Sequence, residues 1–489
     1  MNILLVNPRF NGMAEIPPLA LEAIASPLLD ADFHVTILDL DLEDAGPGKG
    51  DGDGNDRLQR CLQECRPAIV GVTALSNSFA SARQVLETVK AAEPRTLTVL
   101  GGIHASVLYD RLLREHESID AIVRGEGEIT FLELARRFAD SKDFDGIPGV
   151  SYRRAERIVH NEDRPLARDL DSFPIPAHHL VDGGRYRTRS ISSSRGCAHD
   201  CTFCSIQSQY HRTVRFHGAG RLIEEIQGLL YFGARRIMFT DDNFTFSRKR
   251  LRELCAEMIR QGFNRQAAFY AQGRMDDICR NPSLAGMLSE AGFQAVYVGA
   301  ESGAAEVLSY YRKGLHPEDV LRGASFCIEQ NLTPVVNFIL LGPRDTPETI
   351  RETLHLAMRL FENGAEIAYT ETLIPYPGTP IREELEREGR YRETGEAYYF
   401  ESDPGINMDR FLQLCDCARA WTRLIHGGDS RFEARKTYYE LACLDSLLAG
   451  RIPQDSKAGP GSAGGLASAE EIEALYRQTM EWIRPFGGR

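Results

Sequence analysis

Cys197, Cys201 and Cys204 fall within eight residues, directly after Arg195-Gly196. Three thiolates on one loop can converge on a single metal centre. A cubane iron–sulfur cluster takes one cysteine per iron, so three cysteines leave one iron open to bind something else. The competing readings are a structural zinc site and buried, inert thiols. Structural zinc ordinarily takes four ligands in paired knuckles, and no second C-x-x-C pair exists in the chain. His199, two residues from Cys197, is awkwardly tethered as a fourth ligand. The pairs Cys61/Cys65 and Cys415/Cys417 stand in helical contexts without a third partner and read as non-ligands. The 11 cysteines are odd in number and irregularly spaced, unlike a disulfide framework.

Such a loop needs rigid elements to hold it. Over the first 140 or so residues, short apolar runs alternate with amphipathic stretches. Strands are predicted at Asn2–Val6, Val35–Leu38, Ile69–Thr73, Thr96–Leu100 and Ala121–Val123, with helices such as Leu19–Leu29 and Ala80–Ala92 between them. Strands separated by helices pair in parallel through right-handed crossovers, which gives a doubly wound sheet. A ligand then sits outside the carboxyl ends of the strands. The residues to watch are Asn7-Pro8-Arg9, Ala74-Leu75-Ser76, Gly101-Gly102 and Arg124-Gly125-Glu126-Gly127-Glu128. Within the insertion Asp44–Arg57, Asp51–Asn55 looks like the opening of a calcium loop. Asp56 stands where the turn needs glycine and Leu62 where a glutamate should close the site, so a mobile surface loop is expected.

Residues 141–185, rich in Pro, Asp and Arg, read as a connector. The alternation resumes from Ile191 to about Pro380. Strands are predicted at Ser190–Ser193, Arg236–Thr240, Ala267–Ala271, Ala295–Gly299, Thr333–Leu341 and Tyr369–Ile374, with helices including Ala219–Tyr231, Arg248–Gln261 and Pro317–Gln330. Six such units suggest a partial barrel or a second open sheet, and barrel enzymes place chemistry at the C-terminal strand ends. After Glu383 the pattern is mostly helical and holds Trp421 and Trp482, with Pro453–Ser468 a flexible link to a last short helix. The aromatics Tyr398, Tyr399, Phe400 and Trp421 line a substrate pocket or form a helical core, and core is the expectation. The divisions expected are 1–140, 141–185, 186–382 and 383–489.

The 489 residues suffice for two or three domains, and 43% hydrophobic with 26% charged residues is ordinary for a soluble globular protein. A net charge of −13 argues against a nucleic-acid partner. No run approaches the roughly 18 apolar residues of a membrane span. The opening residues read as a strand rather than a secretory leader, so the expected location is cytoplasmic.

The spacing C-x-x-x-C-x-F-C after the first strand of a six-strand α/β region resembles the radical S-adenosylmethionine (SAM) superfamily. The resemblance implies a [4Fe–4S] cluster on Cys197, Cys201 and Cys204, with the amino and carboxylate groups of SAM on the open iron. Reductive cleavage then gives a 5′-deoxyadenosyl radical and methionine. Phe203 matches the aromatic that lies near the adenine, or else packs the loop. Asp241, Asp242 and Asn243, after the second strand, stand where the family binds the methionine amino group. One of them can equally cap a helix, and the family's Gly-Gly-Glu is absent there. Gln272 and Arg274 follow the third strand and are expected to face the site. Gly299-Ala300-Glu301-Ser302-Gly303 is similar to the family's G-x-E-S-G, with Glu301 toward the ribose hydroxyls. Asn337 on the fifth strand stands near the adenine, and Pro375–Pro380 closes the barrel.

The first domain resembles the Rossmann-like cobalamin-binding domains that precede the radical domain in one branch of that superfamily. The matching pieces are Asn7–Phe10, Pro18–Leu21, Ile69–Ser76, Leu100–Ser106 and Val123–Glu128. Glycines after parallel strands, here Gly101, Gly102 and Gly125, let a flat or phosphate-bearing ligand approach the backbone. Thr73, Leu75, Ser76, Ser106, His104 and Glu126 are then candidate cofactor contacts, with the hydroxyls and His104 toward the nucleotide tail. The D-x-H-x-x-G motif that brings a histidine to cobalt is absent. Asp32-Phe33-His34 is a near miss at the start of the second strand, with Ile37 in place of the glycine.

This resemblance implies a cobalamin-dependent C-methyltransferase for a small-molecule intermediate, reduced by an external flavodoxin- or ferredoxin-type donor. The alternative is a radical enzyme for rearrangement, dehydration, oxidation or cyclisation, with a vestigial first domain and Tyr210, Tyr297 or Tyr376 as a relay. A non-catalytic cobalamin or redox sensor is a third class, opposed by the complete cysteine triplet. No catalytic residue beyond the cofactors is identified, and the substrate is not readable.

Overall fold

The computed structural model describes residues 1–10, 16–43, 53–394, 397–401 and eleven positions between 411 and 448. Trp421, Trp482, the Pro453–Ser468 link, most of the helical region expected after Glu383, and residues 44–52 of the insertion lie outside these.

Strands β1 (Asn2–Asn7), β2 (His34–Asp39), β3 (Ile69–Thr73), β4 (Leu97–Gly101) and β5 (Ala121–Val123) form a parallel sheet in the order β2-β1-β3-β4-β5. Their unbroken apolar runs follow from burial on both faces. On one face Leu4, Val6, Val70 and Val72 pack with Phe79, Leu86 and Leu112. On the other, Ile3, Leu5, Ile69 and Val99 meet Leu21, Leu28, Phe131 and Leu134.

Part of the expected connector departs from that expectation. Strands β6 (Val150–Arg154) and β7 (Arg157–His160) form an antiparallel hairpin on the β5 edge. Their charged outward residues masked the alternation. Asp53–Arg57, expected in a mobile loop, begin a helix that runs to Cys65. Leu58, Cys61 and Leu62, at helical spacing, bury there and carry the helix upstream.

The second half builds on β8 (Arg189–Ile191). A two-stranded ribbon follows, β9 (Ser194–Arg195) with β10 (Arg215–Phe216). The remaining sheet strands are β11 (Arg236–Phe239), β12 (Ala268–Gly273), β13 (Phe293–Glu301), β14 (Thr333–Leu341) and β15 (Glu366–Thr372). With β8 they form six parallel strands in the order β15-β14-β13-β12-β11-β8, each joined to the next through helices such as Ala219–Tyr231, Arg248–Arg260 and Pro317–Glu329. This is the partial barrel. A hairpin of β16 (Tyr391–Thr394) and β17 (Ala397–Phe400) stands where helix was expected.

Buried charges hold the two halves together. His178 places Nδ1 2.5 Å from Glu22 of the first half and Nε2 3.2 Å from Glu225 of the second. Burial alone lowers the His178 pKa, but hydrogen bonds to Glu22 and Glu225 outweigh it and leave the pKa raised. A histidine stabilised as the cation contributes fully below its unfolded pKa of about 6.5 and progressively less as pH rises through the raised native value. The thermal midpoint should therefore fall on the alkaline side of neutrality by a component that His178→Gln lacks. His178→Ala should cost about 3 kcal/mol near pH 6, read by chemical denaturation, because it takes the close cationic partner from buried Glu22 and leaves Glu225 with Arg221 alone at 2.7 Å. Among the described residues no helix is long and apolar enough to cross a membrane.

Candidate active site

The three cysteines lie on the segment that leaves β9 and returns through β10. Gly196 opens it at φ +88°, and a side chain there would collide with the Thr213 carbonyl. Only glycine permits this closure. Cys201 is buried, while Cys197 and Cys204 are half-buried. Burial pushes the Cys204 thiol up to about 11. Arg274 brings its guanidinium 3.8 Å from the Cys201 sulfur and is itself held by Asp276 at 2.9 Å. Among the described residues no three His, Cys, Asp or Glu side chains gather closely enough for a single ion. A cubane would take one of the three thiolates on each of three irons. The donor set, three thiols beside a fixed cation, suits an anionic cluster.

Beside the loop, Phe203 meets Tyr311 edge-on at 5.2 Å, and the Lys313 ammonium lies 5.9 Å from the Phe203 ring. Lys313 donates to Glu301 at 2.6 Å, with both groups buried. Glu301 adopts φ +66°, where the β13–β14 register shifts. This left-handed residue turns its carboxylate back toward Lys313. Asp242 accepts from the Gly196 amide at 2.9 Å, and burial raises its pKa to about 6. Asp241 is consumed by the Ser193 amide at 3.0 Å and by the Ser193 and Ser194 hydroxyls.

A cavity of about 420 Å³ lies between the carboxyl ends of the first sheet and the carboxyl ends of β8 and β11 in the second. Thr73, Leu75, Gly101, Gly102, Gly125 and Glu126 line one side, and Ser192, Ser194, Arg195, Tyr210, Thr240 and Asp242 the other. Leu75 and Ile103 continue into a second cavity of about 190 Å³, walled by Ser76, His104, Ser205 and Tyr376. His104 is 2% exposed, its Nδ1 meets the Ser76 hydroxyl at 3.0 Å, and its Nε2 has no hydrogen-bond partner. Burial lowers its pKa to about 4, so the ring is neutral.

Two family descriptions match the chain, "B12 binding domain" over residues 12–135 and "Radical SAM superfamily" over residues 191–357. An uncharacterized methyltransferase of Pyrococcus horikoshii is 30% identical over 334 residues, covering 67% of this chain and 71% of that one. The chain belongs to the radical SAM superfamily. The anaerobic magnesium-protoporphyrin IX monomethyl ester cyclase of Cereibacter sphaeroides is 28% identical and covers 68% of this chain, which spans 55% of that relative. The radical SAM methyltransferase TsrM from Kitasatospora setae, solved with cobalamin and a [4Fe–4S] cluster, superposes with a TM-score of 0.67 at 23% identity. That match covers 81% of this chain and 76% of TsrM, and shows a shared fold. The cofactor set read from the sequence, cluster, SAM and cobalamin, agrees with the two domains.

The radical SAM core of this chain gathers some expected residues and withholds others. Cys197, Cys201, Cys204, Phe203, Arg274 and Glu301 stand in one neighbourhood. Asn243 is tied to Asp277 at 3.1 Å and Thr245 at 2.9 Å. Ser302, fully buried, bonds Thr353 at 3.0 Å. Both are occupied within the protein. Asn337 reaches the Val298 carbonyl at 3.4 Å, and Gln272 is exposed on β12. Ser106 donates to the Gly102 carbonyl at 2.9 Å and accepts from the Gly125 amide at 3.0 Å, so it ties loops together. Of the three tyrosines raised as relays, Tyr210 lines the larger cavity, Tyr376 the smaller, and Tyr297 neither. Lys313 was missed, because nothing in its local sequence marks it. Arg195 and Arg215 were also missed as partners of Glu126.

Proposed function

We propose that this protein is a cobalamin-dependent radical SAM C-methyltransferase acting on a small-molecule biosynthetic intermediate and reduced by an external flavodoxin- or ferredoxin-type protein. Residues 1–140, with the β6–β7 hairpin on the edge of their sheet, form its corrin domain, the rest of 141–185 the connector, 186–382 the radical core and 383–489 the remainder. The cavity shared by the two sheets carries the reading, because it lets one pocket face both the glycine-lined strand ends and the cysteine loop. When bound, the cluster supplies the electron that cleaves SAM, and cobalamin carries the methyl group.

Cys197, Cys201 and Cys204 hold the cluster, and Arg274 offsets its negative charge. Phe203, Glu301 and Lys313 border the SAM side, where the buried Lys313–Glu301 pair fixes the carboxylate's direction. Asp242 offers its second oxygen to a protonated amine. Thr73, Leu75, Gly101 and Gly102 form the corrin floor. Leu75, Ser76 and His104 of the smaller cavity would take the nucleotide tail of cobalamin, with the unpartnered His104 Nε2 placed to hydrogen-bond it. The relative named as a methyltransferase supports this outcome.

The relatives named as cyclases favour a second reading, oxidative ring closure with the same radical. Anaerobically reconstituted protein should show corrin absorption at about one per chain. With reductant and SAM it should form both 5′-deoxyadenosine and S-adenosylhomocysteine, the co-product of methyl transfer to the corrin. 5′-Deoxyadenosine alone, with no bound corrin, would leave the second reading standing.

A further inference from the structure

Two motifs that lie far apart in sequence interlock at the neck of the cysteine loop. Arg195 and Arg215 stand directly opposite each other in the β9–β10 ribbon. Like charges in that position repel, yet both are largely buried. Glu126, in the loop between β5 and the helix Gly127–Asp140 of the first domain, resolves this. Its Oε1 and Oε2 each lie 2.9 Å from Arg215, in a bidentate fork, and Oε1 also accepts from Arg195 at 2.9 Å. Glu128 takes the other Arg195 nitrogen at 2.5 Å. Arg215 and Glu126 additionally hold the backbone of Ala167 at 2.7 and 3.1 Å. The Glu126 carboxylate, expected from sequence to meet the cofactor, is thus spent on two guanidinium groups. Its neighbour Gly125 lies on the floor of the larger cavity, and Arg195 is two residues from Cys197.

We infer that Glu126, with Arg195 and Arg215, is a positioning clamp that sets the separation between the corrin floor and the cysteine loop. Glu126 is therefore a positioning residue rather than a cofactor ligand. The inference rests on the proposed methyl-transfer function, in which a single SAM pocket serves two reactions. Reductive cleavage would need the cysteine loop and the SAM-side residues, all of which belong to the second half. Methyl transfer to the corrin also needs the floor at the right distance, since a displacement of about 1 Å can cost on the order of 100-fold.

The test is Arg215→Gln in reconstituted holoenzyme, with Arg215→Lys as the conservative companion. The S-adenosylhomocysteine to 5′-deoxyadenosine ratio should fall by on the order of tenfold in Arg215→Gln at unchanged iron and corrin content, and partly recover in Arg215→Lys. Hydrogen exchange should rise together at residues 124–128 and 194–198. If both products fall in proportion, or the ratio and exchange match wild type, the clamp is refuted. If Arg215→Gln does not accumulate folded, Arg215→Lys decides, and an unchanged ratio there also refutes it. Wild type that makes 5′-deoxyadenosine but no S-adenosylhomocysteine would instead refute the methyl-transfer reading, and the clamp with it.

Discussion

Cys201→Ala should reduce 5′-deoxyadenosine formation from SAM by on the order of 10³-fold or more, measured chromatographically under strong reductant. The expectation follows from ligand arithmetic. Three thiolates leave one iron of a cubane open, whereas two leave a second iron without a protein ligand and the cluster without its anchor. Cys201 also has the buried Arg274 guanidinium 3.8 Å from its sulfur, so its loss leaves that cation without its sulfur neighbour. Iron and sulfide content should fall with activity. Cys65→Ala is the control. Cys65 ends the helix Asp53–Cys65, where its sulfur meets Cys61 and Thr36, each at 3.7 Å, and packs against the first sheet's core. Wild-type yield from Cys201→Ala, or an equal loss from Cys65→Ala, would contradict the assignment.

The second large effect belongs to the corrin floor. Gly102→Ala should destabilise the protein by about 3 kcal/mol and abolish stoichiometric corrin binding, read by denaturation and by the visible spectrum. Gly102 sits at φ +92°, and a Cβ there would stand 2.5 Å from the Ala74 carbonyl oxygen and 2.9 Å from its nitrogen. Neither backbone atom can move without breaking the contact between the two loops, where the Ala74 amide donates to the Gly101 carbonyl at 2.9 Å. Those loops present Thr73, Leu75 and Ser76 on one side and His104 on the other. Gly125→Ala makes the comparison sharp. Gly125 also has a positive φ, +72°, but nothing lies within 4 Å of the added methyl. Its cost should stay near the left-handed penalty of about 1 kcal/mol. Equal losses from the two variants would mean that backbone strain rather than loop contact governs the site.

What the sequence disclosed depended on how local each signal was. Runs such as Ile69–Thr73 and Thr333–Leu341 declared strands because both faces are buried, and the cysteine triplet needed only eight residues to be read. The hairpin β6–β7 was hidden because Arg153, Arg154, Glu156 and Arg157 gave the segment the look of a linker. The glycine at 102 was marked for ligand approach, yet its geometry is demanded first by the Ala74 carbonyl. Ser302 matched the family's G-x-E-S-G and Asn243 stood only at the family's position after the second strand, but they are held by Thr353 and by Asp277 and Thr245, partners that no spacing rule supplies. Glu126 and Arg215 are 89 residues apart in the chain, and only the docking of the two sheets brings their charges together.

The most direct measurement is low-temperature electron paramagnetic resonance of the anaerobically reconstituted, reduced wild-type protein, before and after adding SAM. A protein carrying about four iron and four sulfide per chain should give a reduced-cluster signal that changes on SAM addition, because the cofactor occupies the open iron. A signal unmoved by SAM, or a preparation that holds no cluster while all three cysteines are intact, would contradict the account.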